Sequence, residues 1–192
     1  MNVRRERTLA NGARFLLVQG DITAQQVDAI VNAANSRLAH GGGVAAVIAR
    51  KGGSVVWRQS QAWVREHGPV SHERPAYTEC GNLPCRYIIH AVGPIWRGGT
   101  AQEDEKLRAA VLGSLRRADE LGVRSIAFPA ISTGVYRFPK DRAARIFYRA
   151  IEDYFRDHPQ SHLQEVRLVL YDRPTLEAFL QVWDATATET AQ

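Results

Sequence analysis

The sequence predicts an α/β fold of three layers, α/β/α, with helices on both faces of a mixed, mostly parallel central sheet. The main observation is that nearly unbroken apolar runs, such as 125–130, alternate with amphipathic helical patterns. Strands covered on both faces have this composition. A second observation is the Asn-Gly pair at 11–12 between two extended runs, which signals a tight antiparallel hairpin. The 192 residues suit one domain, expected at 1–184, with 185–192 as a frayed tail.

In the first half of the chain, extended runs flank the Asn-Gly pair, and the apolar residues 29–31 mark a further strand. Apolar residues at helical spacing follow the glycines 41–43 and indicate two helices. Two more strand-like runs flank the turn at 80–85. The expected order is strands at 3–10, 13–19 and 28–33, helices at 43–50 and 54–66, and strands at 75–80 and 86–92.

The second half begins with a long helix. Three acidic residues at 103–105 load its start, where the helix dipole favours negative charge, and Gly122 ends it. A buried strand is expected at 125–130, followed by a helix from about Pro139, which can occupy a first helical turn. The chain is completed by a strand at 166–171 and an amphipathic helix through 176–183.

The loops that follow the carboxyl ends of the strands are candidates for a binding site. In open α/β sheets, ligands bind in the crevice outside those ends. Segments far apart in the sequence would then share one cleft. They are 20–21, 32–35, 93–94, 132–136 and 171–172.

Two of these loops have the composition of a phosphate site. In the segment 129–136, Ser, Thr and Gly place several backbone N–H groups and two hydroxyls in one tight turn before a helix, which suits a phosphate. An ordinary strand-to-helix connection would fit that turn alone equally well. The three glycines at 41–43 lose much entropy on ordering, so they make most sense where the backbone touches a ligand. Together the loops suggest two phosphates or one diphosphate.

Composition limits the class of protein. Apolar residues make up 45% and charged residues 23% of the chain, which is ordinary for a globular protein in water. No apolar run approaches the roughly 20 residues of a membrane helix, and residues 1–20 lack the apolar core of a signal peptide. We therefore expect a cytoplasmic protein that does not contact a membrane.

The side chains of Cys and His indicate no metal and no cofactor. Cys80 and Cys85 are too few for a disulfide framework or a zinc site. We expect them to be reduced structural residues, with a redox pair as the alternative. No spacing of His, Glu and Cys suggests a metal. The histidines that we expect to be solvated in polar loops are His67, His72, His158 and His162.

The net charge of +5 comes almost entirely from arginine. A basic chain can bind nucleic acid or another polyanion. The arginines are scattered, however, with no basic helix or basic stripe interleaved with aromatic residues, which favours a solvated surface. A weak contact with nucleic acid stays open.

Five short motifs stand in order along the chain, at 20–23, 31–35, 41–44, 90–94 and 129–136. In order and spacing they resemble the motifs of one family, the macrodomain. The resemblance extends from about Asn2 to Trp183. It implies a mixed sheet between helices, a cleft for ADP-ribose, and hydrolysis of bonds at the distal ribose of ADP-ribosylated molecules.

The resemblance also implies which residues bind adenine. Asp21 would accept a hydrogen bond from the exocyclic amine, with the backbone N–H of Ile22 nearby, and the ring of Tyr171 would stack on the base. Taken alone, an Asp after Gly is more often a helix cap, here for residues from Thr23 onward. Asp172 would cap the final helix in the same way.

The remaining implied residues surround the diphosphate and the distal ribose. Asn35 would fix two ribose hydroxyls, since its amide both donates and accepts. A turn-forming Asn is the alternative, a role that we assign to Asn32. Gly42, Gly43 and Val44 would approach the ribose and a phosphate through their backbone. The diphosphate loop would consist of Ser132, Thr133, Gly134, Val135 and Tyr136.

We expect Asn35, Gly43 and Tyr136 to serve catalysis, with Tyr136 as a wall of the ribose site unless it is a core aromatic. The best-known hydrolase branch of the family has an acidic residue directly after its Gly-Gly-Gly-Val turn, where this chain has Ala45. We expect no other acidic residue nearby. The resemblance implies that some macrodomains without this acid still cleave, with the substrate's phosphate orienting water. The protein would supply positioning and preorganised dipoles.

Three functions stay open. An enzyme would release ADP-ribose, without a metal, from acidic protein side chains, nucleic-acid ends or an acetylated ADP-ribose. A reader would bind ADP-ribose without chemistry, which Ala45 favours. A nucleic-acid protein would bind with a steep salt dependence. The glycine motifs of dinucleotide dehydrogenases and P-loop hydrolases are absent from the sequence.

Overall fold

Strands and helices alternate along the chain in the predicted order. The computed structural model describes residues 1–190. The strands are β1 (Asn2–Thr8), β2 (Arg14–Gln19), β3 (Ala29–Ala34), β4 (Ala76–Glu79), β5 (Tyr87–Val92), β6 (Ser125–Phe128) and β7 (Glu165–Leu170). The helices are α1 (Gly43–Gly52), α2 (Ser54–His67), α3 (Glu103–Glu120), α4 (Lys140–Asp157) and α5 (Arg173–Thr190).

The strands form one sheet in the order β1-β2-β7-β6-β3-β5-β4. The outer pairs, β1 with β2 and β4 with β5, are antiparallel. The inner pairs are all parallel. The predicted mixed, mostly parallel sheet is therefore confirmed, and its antiparallel parts are confined to the two edges.

Alternate residues of each central strand belong to different halves of the core. Phe15 and Leu17 of β2 pack in a cluster with α3, α4 and α5. The intervening Leu16 and Val18 pack in a second cluster with Ile48 of α1 and with α2. Because successive side chains of a strand point to opposite faces, helices cover both faces of the sheet. The predicted α/β/α layering is confirmed.

Several boundaries differ from those expected. β6 ends at Phe128, because Pro129 has no N–H to continue the ladder. Helix α5 continues to Thr190, past the point where a frayed tail was expected to begin. Residues 191–192 of that expected tail lie outside the described residues. The domain boundary at 184 stays a prediction. Within residues 1–190, each helix is too short or too polar to cross a lipid bilayer.

The expectation that Cys80 and Cys85 are reduced was wrong, because their sulfur atoms are bonded to each other. The turn between them explains the pairing. Gly81 adopts a left-handed φ of 61°, and the N–H of Leu83 donates to the carbonyl of Cys80 at 3.3 Å. This brings the two Cα atoms to 5.8 Å, a separation usual for a disulfide.

Candidate functional site

Five loops meet along the carboxyl edge of the parallel strands. β2, β7, β6, β3 and β5 are neighbours in that order and are parallel, so the loops after them lie side by side. Across this edge stand Asp21, Tyr171, the loop 129–136, Asn35 and Gly93. Sheet order therefore brings the sequence-predicted segments to one edge.

The glycine loop leads directly into the first turn of α1. Gly43 has a left-handed φ of 59°, which favours glycine. A Cβ atom built on any of Gly41, Gly42 or Gly43 would meet open space. Helix α1 begins at Gly43, so the first N–H groups of the helix have no partner within it. The loop therefore presents backbone donors at glycines that have open space beside them.

The loop after β6 presents a second set of donors. Ser132 and Arg137 have left-handed φ angles of 69° and 62°, and the N–H of Phe138 donates to the Ser132 carbonyl at 2.9 Å. In the described part of the chain, the N–H groups of Ser132, Gly134, Val135 and Tyr136 have no protein acceptor. Side chains do not shield the tip, where Val135 is 88% exposed.

The two hydroxyls of this loop are held inside the protein. Thr133 Oγ1 donates to the Ala130 carbonyl at 2.7 Å. Ser132 Oγ is buried and lacks a hydrogen-bond partner among the described residues. It lies against Gly93, where a Cβ atom would overlap it. The sequence suggested that hydroxyls and N–H groups face the ligand together, but the free donors of the loop are the N–H groups.

The amide of Asn35 closes its own turn. Asn35 Nδ2 donates to the Ala39 carbonyl at 2.6 Å, and Asn35 Oδ1 accepts from the Ala39 N–H at 3.0 Å. Asn35 therefore does form a turn, which was the alternative interpretation of this residue. The amide oxygen has a second lone pair and the nitrogen a second hydrogen, and the residue is half-exposed. The amide can thus serve the turn and a sugar together.

Asn32, to which we assigned a turn, is instead fully buried beneath the glycine loop. Its Nδ2 lies 3.0 Å from His90 Nδ1 and 3.5 Å from His40 Nδ1. Because an amide nitrogen only donates, each of these ring nitrogens is an acceptor. The proton of each ring is therefore on Nε2, which contacts Thr78 Oγ1 from His90 and Ser60 Oγ from His40.

Burial keeps both histidines neutral. Burial, together with electrostatic repulsion from His40, lowers the pKa of His90 to about 3. Burial also lowers the pKa of His40. His40 directly precedes the three glycines, so this hydrogen-bonded network fixes the root of the glycine loop. One feature of the sequence could have indicated this network, namely a His within the apolar strand β5. Sequence reasoning did not use it.

The other end of the cleft holds Asp21 and Tyr171, which follow the adjacent strands β2 and β7. Asp21 Oδ1 accepts from the N–H and Oγ1 of Thr23 at 2.8 and 2.7 Å, so the residue caps the short 3-10 helix Ile22–Ala24. Asp21 Oδ2 is 3.4 Å from Lys51 Nζ. Burial raises the pKa of Asp21, but the bonds from Thr23 and the charge of Lys51 outweigh it and lower the pKa.

Tyr171 is 81% exposed, so its ring is free to stack on a ligand. The neighbouring carboxylate is occupied. Asp172 Oδ1 accepts from the N–H and Oγ1 of Thr175 at 2.9 and 2.7 Å, which caps α5 as the sequence suggested. This end of the cleft therefore has an ionised acceptor, Asp21, whose Oδ2 faces Lys51. It also has an open aromatic face, the ring of Tyr171.

A cavity of about 370 Å³ lies at the Asn35 end of the cleft. Tyr136 lines it together with Asn35 and Gly93, and the Tyr136 carbonyl accepts from the Trp96 N–H at 2.8 Å. Tyr136 is half-buried at the cavity and not a core residue. A second cavity, of about 500 Å³, lies at the opposite edge of the sheet, beside Asn11 and Gln164, and contains none of the predicted residues.

Four ionisable residues line the Asn35 cavity without having been predicted: His72, Glu73, Arg97 and Lys106. Glu73 brings an acidic side chain to this cavity, whereas the expectation that no acid lies near Ala45 stays a prediction. His72 is half-buried, not solvated, and its Nδ1 donates to the Val92 carbonyl at 2.6 Å. These residues come from the α2–β4 loop, the β5–α3 loop and α3, and belong to no motif. No group of three or more His, Cys, Asp or Glu within residues 1–190 is arranged for a metal ion.

Comparisons with known proteins agree with this architecture. The model of the Macro domain family matches residues 31–147. An uncharacterised protein of Thermotoga maritima is 49% identical over 168 residues, which are 88% of this chain but 28% of that protein. A protein of Escherichia fergusonii named O-acetyl-ADP-ribose deacetylase is 44% identical over 160 residues, 83% of this chain and 89% of that protein.

A solved structure extends the similarity to nearly the whole chain. A mutant of the Oceanobacillus iheyensis macrodomain with ADPR superposes with a TM-score of 0.88 at 27% sequence identity. The superposition covers 96% of this chain and 98% of that one. From the matching family model, the relatives and the shared fold, we conclude that the chain belongs to the macrodomain family.

Proposed function

We propose that this macrodomain binds ADP-ribose along the carboxyl edge of its sheet and hydrolyses the bond at the distal ribose of ADP-ribosylated molecules. The observation that carries the proposal is a set of backbone N–H groups in two neighbouring loops that have no acceptor among the described residues: those of residues 43–45 and those of Ser132, Gly134, Val135 and Tyr136. Such donors suit a diphosphate. The ADPR in the similar structure supports the same ligand here.

The proposed orientation places adenine at Asp21 and Tyr171. Asp21 keeps an ionised carboxylate, which would accept from the exocyclic amine, with the N–H of Ile22 beside it. The exposed ring of Tyr171 would stack on the base, and stacking of this kind contributes about 1–3 kcal/mol per base. The diphosphate would then span Gly42, Gly43 and Val44 on one side and the loop 132–136 on the other.

The distal ribose would lie between Asn35 and Tyr136, which share one cavity. Ala45, where the sequence has no acid after the glycine turn, is 7% exposed. We propose that the substrate's own phosphate orients the water, while Asn35, Gly43 and Tyr136 hold the sugar. Hydrolysis is supported by the relative named O-acetyl-ADP-ribose deacetylase. The candidate substrates are an acetylated ADP-ribose and ADP-ribose joined to acidic protein side chains or to nucleic-acid ends.

A reader that binds ADP-ribose without cleaving it is the second candidate. The absence of an acid after the glycine turn favours it, because a methyl group at Ala45 cannot activate water. Both candidates share the binding site and differ only in turnover. For either one, we propose a cytoplasmic location and ADP-ribose or an ADP-ribosylated macromolecule as the partner, with a weak contact to nucleic acid and none to a membrane.

Two measurements separate these candidates. Calorimetry with free ADP-ribose tests binding, with AMP as the control that lacks the diphosphate and the distal ribose. Release of ADP-ribose from O-acetyl-ADP-ribose and from an ADP-ribosylated carboxylate tests turnover. Binding with turnover supports the hydrolase, and binding without turnover supports the reader. Equal affinity for AMP and ADP-ribose would contradict the diphosphate site.

A further inference from the structure

The disulfide turn, residues 80–85, contacts the end of α1 that lies away from the proposed ligand. The turn precedes β5, so it lies at the amino end of that strand, whereas the loops of the cleft follow the carboxyl ends. Helix α1 begins in the glycine loop at Gly43 and ends at Gly52. It therefore connects the cleft with the disulfide turn.

The contact between this turn and α1 is tight. The N–H of Asn82 donates to the Gly52 carbonyl at 3.0 Å, which satisfies one of the last carbonyls of the helix. A Cβ atom built on Gly81 would overlap the same carbonyl oxygen. One built on Gly52 would lie 3.1 Å from the Cys80 carbonyl oxygen. Glycine at both positions therefore allows the two backbones to touch.

Apolar packing extends this contact. Cys80 is 2% exposed, and it belongs with Leu83 to the cluster that contains Ile48 and Ala49 of α1. Cys85 packs against the same cluster but is only half-buried. The two ends of the disulfide and the inner face of α1 thus form one packed unit.

Helix α1 supplies groups to the cleft at two places. The N–H groups of residues 43–45 have no acceptor among the described residues. Lys51 Nζ lies 3.4 Å from Oδ2 of Asp21, the proposed acceptor for adenine. A diphosphate must contact both residues 43–45 and the loop 132–136. A shift of α1 relative to that loop therefore weakens binding, because the two sets of donors are no longer preorganised.

We propose that the Cys80–Cys85 disulfide is a redox switch of the cleft. The oxidised chain holds α1 in the position that binds ADP-ribose, and the reduced chain binds ADP-ribose more weakly. The proposal rests on the proposed function of the cleft. Outside hyperthermophiles, disulfides in the cytoplasm, where we propose that the protein acts, are usually transient bonds with a catalytic or redox-sensing role. This disulfide lies outside the cleft, which fits sensing.

The reductant is a dithiol. One of its thiolates attacks the sulfur of Cys85, the less buried residue of the pair. The bond between the two cysteine sulfurs breaks, and its electron pair goes to Cys80 Sγ. The second thiolate of the reductant attacks the mixed disulfide and releases Cys85 Sγ, so that the reductant ends as a cyclic disulfide. The dithiol loses two electrons and two protons, and the two cysteines gain them.

Reduction would loosen the contact with α1. Two sulfur atoms without a bond repel each other at the distance of a covalent bond, so the ends of the turn move apart. The backbone between them touches Gly52 so closely that it cannot change its path and keep this contact. The Gly52 carbonyl then loses the N–H of Asn82, and α1 is free to shift.

The test compares the oxidised and the reduced wild-type protein, with dithiothreitol as the dithiol. We expect reduction to weaken the binding of ADP-ribose in calorimetry by at least about fivefold, the lower end of the usual range for coupled sites. Reoxidation should restore the affinity. Cys85→Ser cannot form the bond, so it should bind ADP-ribose as the reduced wild type does, with or without dithiothreitol.

A reciprocal measurement separates a switch from a disulfide that only stabilises the fold. Coupling between two equilibria acts equally in both directions, so saturating ADP-ribose should oppose reduction by the same factor. The ratio of dithiothreitol to its cyclic disulfide that reduces half of the protein should rise about fivefold. A purely stabilising disulfide would show no such shift, because both folded forms would bind ADP-ribose equally.

Gly81→Ala disturbs the contact with α1 while the bond stays intact. The added methyl group would overlap the Gly52 carbonyl oxygen, so this variant should lose affinity for ADP-ribose in its oxidised form. Gly122→Ala is the matched control. Gly122 has a similar left-handed φ of 70°, but a Cβ atom there meets open space. It should bind ADP-ribose as the wild type does.

Three outcomes overturn the switch. The first is an equal or higher affinity for ADP-ribose in the reduced wild-type protein. The second is unfolding on reduction, seen by circular dichroism, since the disulfide would then be structural. The third is an equal loss of affinity in Gly81→Ala and Gly122→Ala, which would exclude the route through α1. Failure of the oxidised wild type to bind ADP-ribose would instead overturn the proposed function.

Discussion

Gly93 and Ser132 are packed so closely that the Ser132 side chain occupies the space where a side chain at position 93 would lie. A Cβ atom at Gly93 would overlap Ser132 Oγ and Ile131 Cγ2. Ser132 also has a left-handed φ of 69°, which is uncommon outside glycine. The loop after β5 thus holds the loop after β6 in the conformation that leaves its N–H groups free.

Gly93→Ala should therefore damage both the fold and the site. The added methyl group must displace Ser132, and overpacking of this kind costs roughly 1–3 kcal/mol. We expect a lower midpoint of urea unfolding and weaker binding of ADP-ribose by calorimetry. Gly41→Ala is the control for stability, since a Cβ atom there meets open space. Wild-type stability and affinity in Gly93→Ala would show that the loop does not depend on this contact.

Asn35→Ala should abolish release of ADP-ribose while leaving part of the binding. The change removes the group proposed to fix the ribose hydroxyls and both hydrogen bonds to Ala39. Each lost bond costs about 0.5–1.5 kcal/mol, so some loss of stability is expected as well. Turnover of O-acetyl-ADP-ribose and calorimetry measure the two effects.

Asn35→Asp separates the roles of this residue. An aspartate keeps the acceptor for the Ala39 N–H but cannot donate to the Ala39 carbonyl. It should retain more stability than Asn35→Ala and still turn over slowly. Full turnover by Asn35→Ala would rule out the catalytic role.

Tyr171→Ala should weaken ADP-ribose binding by about 1–3 kcal/mol, the range for an aromatic ring stacked on a base. The ring is 81% exposed, so the free energy of unfolding should change by no more than about 0.5 kcal/mol. Calorimetry and urea unfolding check these expectations. Tyr171→Phe keeps the aromatic face and should bind as the wild type does. An unchanged affinity in Tyr171→Ala would place adenine elsewhere.

Acid should destabilise the protein through His40 and His90. Burial lowers the folded-state pKa of His90 from 6.5 to about 3 and also lowers that of His40. The unfolded chain therefore takes up these protons first. The contribution of the two neutral histidines to the free energy of unfolding is fully present above about pH 6.5. It is lost as the pH falls from there toward 3, by up to about 1.4 kcal/mol per pH unit for each histidine.

Urea unfolding at a series of pH values between 7.5 and 4.5 measures this loss. His162 is exposed, so His162→Gln serves as the control for the substitution of a histidine. If the free energy of unfolding stayed level across this range, the two histidines would not be held neutral in the folded state.

Local patterns in the sequence determined the architecture. The apolar run at 29–31, the apolar start of 125–130 and the Asn-Gly pair at 11–12 predicted β3, β6 and the β1–β2 hairpin. They succeed because hydrophobic periodicity and turn chemistry are properties of neighbouring residues. The same holds for Asp172, whose capping of α5 involves only residues three apart. The loops that carry the predicted site residues were found in this way too.

Tertiary structure decided what these loops can do. The β3–β5 register places Asn32 opposite His90, which turns a predicted turn residue into the centre of a buried network. Lys106, Glu73 and Asn35 reach one cavity only because α3, the α2–β4 loop and β3 meet at one edge of the sheet. Contacts between residues that are remote in the chain depend on strand order and register. Neither can be derived from the composition or from the spacing of residues along the chain.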